Sequence, residues 1–482
     1  MASRGDAATI VEVDASRSVG AFDRLSGVQG SPAAIVDGEP ELVREFREAR
    51  IARSRFPQDC APNTLTLAGV FPDENADPAL VTSYRFEAID RHVRAAHAAG
   101  AETLWQSSYD VGRSDRWVGQ NLGGRAPEDL SRWGRVVTRC LEHFNNGFAG
   151  GFDYFVRNAE FVNEPDGLGG FRAGHEKRLI PAFLSFLETV DAYNHAHAGT
   201  AVRAVGPGIP LSIAEWPTWR PRFDAALSAI ARSGKPLPAF SFHTYGRDVS
   251  PRGNIRLAKE IRALLDGHRM HATELWNTEW LAGDFLRDYL SLDADKVARA
   301  TDRDQRRYGS AMAAYAVACK IGWQGVVRGS FYYRANVRAF PPGYRPPLAA
   351  GGYGRFFGPG GRLNALGLHE RLLAEVAALT PERCTTAAAE DDSFLALGLR
   401  SPDAKSASLL VASLARAPRS VSLRVGALHS ASVRIRCAVL DENNDLTPHE
   451  LGTSTSTSNP GTHVVAFDVA PLSSAWLILE GK

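Results

Sequence analysis

Between residues 26 and 380, short apolar runs rich in β-branched and aromatic residues alternate with stretches of helical period. The runs at 26–29, 51–56, 102–107, 154–162, 202–206, 239–243, 273–279 and 326–333 predict strands. Between them, Leu130, Trp133, Val137, Cys140, Leu141 and Phe144 recur at 3–4 spacing, and Pro127, Glu128 and Asp129 supply an anionic helix start. Ile89, Val93 and Ala96 share a second helical face that ends at Gly100, and Tyr308, Met312, Tyr315 and Cys319 share a third that stops before Gly322. Further helices are predicted near 41–49, 181–195, 223–233, 255–266 and 364–379. Eight strands, each followed by a helix, predict an α/β fold of the (β/α)8 TIM-barrel type. An open doubly wound sheet is the alternative, because alternation alone does not prove closure.

After about Thr380 the period changes from helical to two. Residues 420–425 and 432–437 alternate polar and apolar, and the segments SLLVASL, HVVAFDV and AWLILEG are similar short runs. This predicts a small C-terminal antiparallel β-sandwich. The apolar run at 9–13 has no evident partner in a barrel and is expected to join that sandwich. The expected organisation is a sandwich strand within 1–16, a barrel over 17–380 and the sandwich over 381–482. The Ser/Thr run 453–458 reads as a surface loop.

Composition narrows the function. With 55 Lys+Arg against 54 Asp+Glu, the chain carries no electrostatic footprint for nucleic acid and no basic run for a membrane surface. No apolar stretch approaches the roughly 20 residues needed to span a bilayer. The first residues lack the basic, apolar, small-residue order of a secretory signal. Cys60, Cys140, Cys319, Cys384 and Cys437 are scattered and form no CxxC pair, so a reducing, cytoplasmic setting without a zinc site is expected. The paired histidines 195/197 and 268/271 lack the carboxylate or cysteine spacing of a metal site, and Gly352-x-Gly354 does not open a helix after a first strand. No cofactor and no metal are expected. A near-zero charge is compatible with homo-oligomers without specifying them.

Two predicted strands end in a glutamate with unusual neighbours. Glu164 lies in Phe161-Val162-Asn163-Glu164-Pro165, and Glu279 lies between Trp276 and Trp280 in Leu275-Trp276-Asn277-Thr278-Glu279-Trp280. In a TIM barrel the C-terminal strand ends carry the chemistry. Glycosidic cleavage needs one carboxylic acid to protonate the leaving oxygen and a second carboxylate to attack the anomeric carbon or activate water. Glu274 competes with Glu279; the two differ in strand parity, and the strand-end position with the following tryptophan favours Glu279. His243 reads either as a core histidine or as a pocket residue. Trp105, Trp276 and Trp280 read either as packing or as platforms for sugar C–H faces.

Asn163-Glu164-Pro165 on strand four with Thr278-Glu279-Trp280 on strand seven resembles the retaining (β/α)8 glycosidases of clan A. The chain looks most like glycoside hydrolase family 39, which includes β-xylosidases and α-L-iduronidases. Ser241-Phe242-His243-Thr244-Tyr245-Gly246 and Gly351-Gly352-Tyr353-Gly354 are similar to that family's segments on strand six and after strand eight. The resemblance implies an exo-acting retaining glycosidase on short oligosaccharides or glycosides, with Glu164 as acid/base and Glu279 as nucleophile. It further implies that Asn163 bonds a sugar hydroxyl and that His243 and Tyr245 line the pocket. The chain departs from the xylosidase pattern at Arg53-Ser54-Arg55-Phe56 and at Phe331-Tyr332-Tyr333-Arg334. With Tyr332 placed at the altered subsite, Arg55 and Arg334 are expected as spare rim cations suited to an anionic sugar. A carbohydrate-binding protein without turnover is the rival from another class.

Overall fold

The computed structural model describes residues 8–34, 41–56, 65–73, 75–108, 129–164, 176–211, 213–245, 250–282, 302–333, 356, 363–388, 391–443, 446–456 and 461–481. Eight parallel strands close into a barrel: Val28–Gln29, Arg53–Phe56, Glu102–Gln106, Val156–Glu160, Arg203–Leu211, Ala239–Thr244, Glu274–Trp280 and Gly329–Tyr332. Closure is decided by the pairing of the eighth strand with the first, Tyr332 opposite Val28, which excludes an open sheet. Helices Val43–Ala49, Glu87–Ala98, Leu130–Asn146, Glu176–Ala196, Trp216–Ser233, Pro251–Gly267, Asp302–Gly322 and Ala365–Leu379 intervene in order. Their starts follow local chemistry. The side chains of Asp129, Ser250 and Asn364 accept the N–H of Arg132, Gly253 and Gly367, and Gly147 closes the first of these helices at φ 75°. Capping falls on Asp129 itself; Pro127 and Glu128 lie outside the described residues.

Leu104, Val205, Ala239, Trp276 and Phe331 pack together as an apolar layer inside the barrel. Strand alternation then decides what faces inward above and below it. The seventh strand departs from simple alternation. Phe242 pairs with Asn277 but His243 pairs with Glu279, and on the other side Ser330 pairs with Asn277 while Tyr332 pairs with Trp280. One extra residue, Thr278, therefore bulges from this strand against both neighbours and turns Glu279 to the side that Trp276 faces. The parity argument against Glu274 and Glu279 sharing a face thus fails at the bulge. Both glutamates serve the barrel interior, at opposite ends.

The C-terminal region forms two facing sheets. Thr9–Asp14 lies between Thr385–Ala388 and Arg419–Leu428 in a four-stranded sheet that ends in Gly461–Val469. The seven-stranded sheet contains the other C-terminal strands and is extended at one edge by Gly20–Ala21. Its Ala407–Ser413 strand is buried along its whole length. One face meets the other sheet through Leu409 and Val411, and the other meets Ala313, Val317 and Leu373 of the last two barrel helices through Leu410 and Ala412. Two covered faces explain why this run is continuously apolar. Residues 453–455, expected in a loop, close the strand His449–Thr455; β-branched threonines suit its pleated edge. No helix among the described residues is long and apolar enough to cross a membrane.

Candidate active site

Above the apolar layer, the barrel mouth is organised around one guanidinium. Arg55 is fully buried, and its Nε donates to Glu160 Oε2 at 2.5 Å. Its Nη1 donates to Glu279 Oε2 and to Gln29 Oε1, both at 2.8 Å, and Nη2 donates to Asn163 Oδ1 at 2.9 Å. Burial alone would favour loss of its proton, but Glu160 and Glu279 outweigh that and hold the Arg55 pKa above its ordinary value. The expectation of a spare rim cation at Arg55 is corrected: alternation from Arg53 turns it inward, where two protein carboxylates already pair with it. Arg334 lies outside the described residues.

His243 fixes the geometry between the two candidate glutamates. Burial lowers its pKa to about 4; Glu279 opposes this and Arg55 adds to it. Arg55 Nη2 stands 3.4 Å from His243 Nε2 and has only protons to offer, so Nε2 carries the lone pair. The neutral ring therefore keeps its proton on Nδ1, which donates to Glu164 Oε1 at 2.9 Å. Tyr245 donates its hydroxyl to Glu279 Oε1. Burial raises the Tyr245 pKa well above the usual range, so it remains a donor.

Glu164 sits four residues beyond the end of its strand, at φ 40°, in the left-handed region although a proline follows it in sequence. The preceding residue is anchored by its backbone: Asn163 N–H donates to Ser108 Oγ at 3.0 Å. Asn163 Oδ1 also accepts from Gln106 Nε2 at 3.0 Å, while its buried Nδ2 has no hydrogen-bond partner among the described residues. That amide is a donor ready for an incoming oxygen. Gly208, at φ 68° in a bulge of the fifth strand, brings backbone close to this group; a Cβ there would lie 3.7 Å from Glu160 Oε1 and 3.8 Å from His243 Nε2.

One oxygen of Glu164, one ring nitrogen of His243 and one oxygen of Glu279 all lie within 4.8 Å of one another. The three offer donors to a divalent cation, but Arg55 already occupies Glu279 Oε2 and stands beside His243, so the donor set suits a cation poorly. The two carboxylates have unequal surroundings. Glu279 faces a guanidinium and a phenol, whereas Glu164 faces a neutral imidazole. Such asymmetry can hold one group as an anion and the other as an acid.

Other sequence-selected residues lie elsewhere. Trp105, Trp280 and Tyr332 are buried on the outer wall of the barrel. Trp105 meets Phe144 edge-on at 5.3 Å; Trp280 meets Trp323 at 4.9 Å and Tyr332 at 4.8 Å. Their readings as sugar contacts are corrected to packing, because the inward neighbours Leu104, Glu279 and Phe331 send the adjacent side chains outward. Tyr333, one residue past Tyr332, is the aromatic beside the site, with its ring 6.0 Å from Tyr245. Trp276 is buried in the apolar layer, and Glu274 lies below it, paired with Arg203 at 3.2 Å. Gly246 and 351–354 lie outside the described residues. Glu160, Gln29 and Gln106 were not singled out from sequence. Their shared signal is a polar side chain at the last position of a barrel strand.

No protein-family model and no curated protein matches the sequence. Solved structures do match its fold. A glucosidase from Croceicoccus marinus superposes with a TM-score of 0.71 at 20% identity, covering 99% of both chains. A monomeric β-xylosidase from Caulobacter crescentus gives 0.68 at 16% identity, covering 98% of this chain and 100% of its own. A glycoside hydrolase family 39 enzyme from Xanthomonas axonopodis pv. citri gives 0.67 at 16% identity and 100% of both chains. The chain thus shares the whole two-part fold of these structures.

Proposed function

We propose that this protein is a retaining glycoside hydrolase of the family 39 type, acting from the chain end of short oligosaccharides or glycosides. The observation that carries the reading is the proximity of Glu164 and Glu279, whose nearest approach falls within 4.8 Å beside a neutral His243. A retaining pair needs a separation of about 5–5.5 Å, whereas an inverting pair needs roughly 6.5–9.5 Å to admit water. The shared fold with a glucosidase and a β-xylosidase supports the same class.

In this reading Glu279 attacks the anomeric carbon. Tyr245 and Arg55 orient its two oxygens and favour the anion. Glu164, oriented by the His243 N–H at its Oε1, gives its proton to the leaving oxygen. After departure the same carboxylate takes a proton from water, which then opens the glycosyl-enzyme. The free Nδ2 of Asn163 donates to the sugar hydroxyl next to the anomeric carbon. The enzyme is β-xylosidase-like with an altered glycone subsite, and the proposed setting is cytoplasmic.

The test is release of nitrophenol from aryl xyloside, glucoside, galactoside, arabinosides and uronides, with Glu279→Ala as the blank. Hydrolysis of one member, lost in the variant, supports the class and names the glycone. Binding of oligosaccharide with no turnover of any aryl or natural glycoside would instead make it a carbohydrate-binding protein on this barrel.

A further inference from the structure

Glu160 is fully buried at the end of the fourth barrel strand, and its Oε2 holds Arg55 Nε at 2.5 Å. Its other oxygen, Oε1, has no hydrogen-bond partner among the described residues. A half-satisfied buried carboxylate is costly, and one counterion would already neutralise the guanidinium. The pairing is thus poorly explained as a stabilising device. What it does accomplish is geometric and electrostatic: one planar cation is held at Nε by Glu160 and presents Nη1 to Glu279 at 2.8 Å.

We infer that Glu160 is a positioning residue which, through Arg55, aims the Glu279 carboxylate and keeps it basic enough to attack. This rests on the reading of Glu279 as nucleophile. Among the described residues, Glu279 is faced by Arg55 from the second strand, His243 and Tyr245 from the sixth strand and its end, and Glu164 beyond the fourth strand. Glu160 stands across the guanidinium from it. Arg55 alone would stabilise the Glu279 anion so strongly that its nucleophilicity would fall. A second carboxylate on the same cation shares that charge and repels the first, and both effects return basicity to Glu279.

Glu160→Gln tests this, because the amide oxygen still accepts from Arg55 Nε while the charge is gone. The acid limb of the kcat/KM profile on the reactive aryl glycoside should move down by about one pH unit. Turnover should fall about tenfold, with KM nearly unchanged. A substrate-free readout accompanies it: the carboxyl ¹³C titration of Glu279, assigned by its loss in Glu279→Gln, should shift down by the same amount. An unchanged or raised Glu279 titration in folded Glu160→Gln overturns the inference, and a role confined to folding would lower the melting temperature without moving it. If the wild type hydrolyses no glycoside, the functional reading falls while the titration still decides this point. Should Glu160→Gln fail to fold, Glu160→Asp draws the charge back by one methylene. A downward shift of a few tenths of a unit is then expected, and none would overturn the proposal.

Discussion

The two ends of the barrel interior use nearly the same residues to different effect. At the lower end Arg53 pairs with Glu102 at 3.3 Å and Arg203 with Glu274 at 3.2 Å, and both arginines lie over the Trp276 ring. These side chains remain 24–40% exposed. Beyond the layer of Leu104, Val205, Ala239, Trp276 and Phe331, Arg55, two residues past Arg53 on the same strand, pairs with Glu160 and Glu279 at 0–3% exposure. Wet pairs relax and are screened, so each contributes little. Dry ones are held rigidly, cannot be rearranged cheaply, and act on whatever enters. In this barrel, the side of the apolar layer that a charge occupies sets how dry its pairing is.

The largest test of this contrast is Glu279→Ala, for which aryl-glycoside turnover should drop by roughly 10⁴-fold or more, while Glu274→Ala should leave it within about twofold. Full activity in Glu279→Ala would erase the distinction between the ends. Next, Glu164→Gln should cost roughly 10²–10⁴-fold on glycosides with poor leaving groups. The deficit should shrink for nitrophenyl leaving groups, which need little protonation; leaving-group plots measure it.

Stability sharpens the same comparison. Arg55→Met strands two buried carboxylates and should cost about 3–5 kcal/mol in denaturant unfolding. Arg53→Met should cost about 1 kcal/mol or less, since its pair is 24–34% exposed and open to screening. Similar losses would mean that burial is not what separates the two ends. The buried end should also carry pH sensitivity. Burial lowers the folded pKa of His243 to about 4, so between about 6.5 and 4 the unfolded chain binds a proton that the folded chain does not. Its contribution to stability is full above about 6.5 and declines as pH falls to about 4. His92, also lowered to about 4 by burial, adds a slope of the same sign. The smallest effect is expected for His243→Asn, which should flatten only its own share of that slope, read from melts between pH 7 and 4.

Much of the site was legible because it follows from chain-local rules. A glutamate before a proline, a glutamate between tryptophans and a His-x-Tyr at a strand end mark positions where strands give way to loops, and these four side chains do converge. Misreadings arose wherever one residue of register mattered. Tyr333 rather than Tyr332 adjoins the site, and Trp105 and Trp280 face the helices, because aromatic composition does not say which side of a strand is inside.

The amino-acid sequence by itself determined the eightfold alternation, the change of period near 380 and the candidate glutamates, since period, caps and strand-end residues act over a few neighbours. Tertiary structure alone decided three things. It closed the sheet through Tyr332 and Val28, turned Glu279 inward through the bulge at Thr278, and converted Arg55 from an expected free cation into the hinge of a buried charge network. Each depends on which strands lie side by side. Local period cannot encode that pairing, because it is settled by contacts between residues tens to hundreds of positions apart.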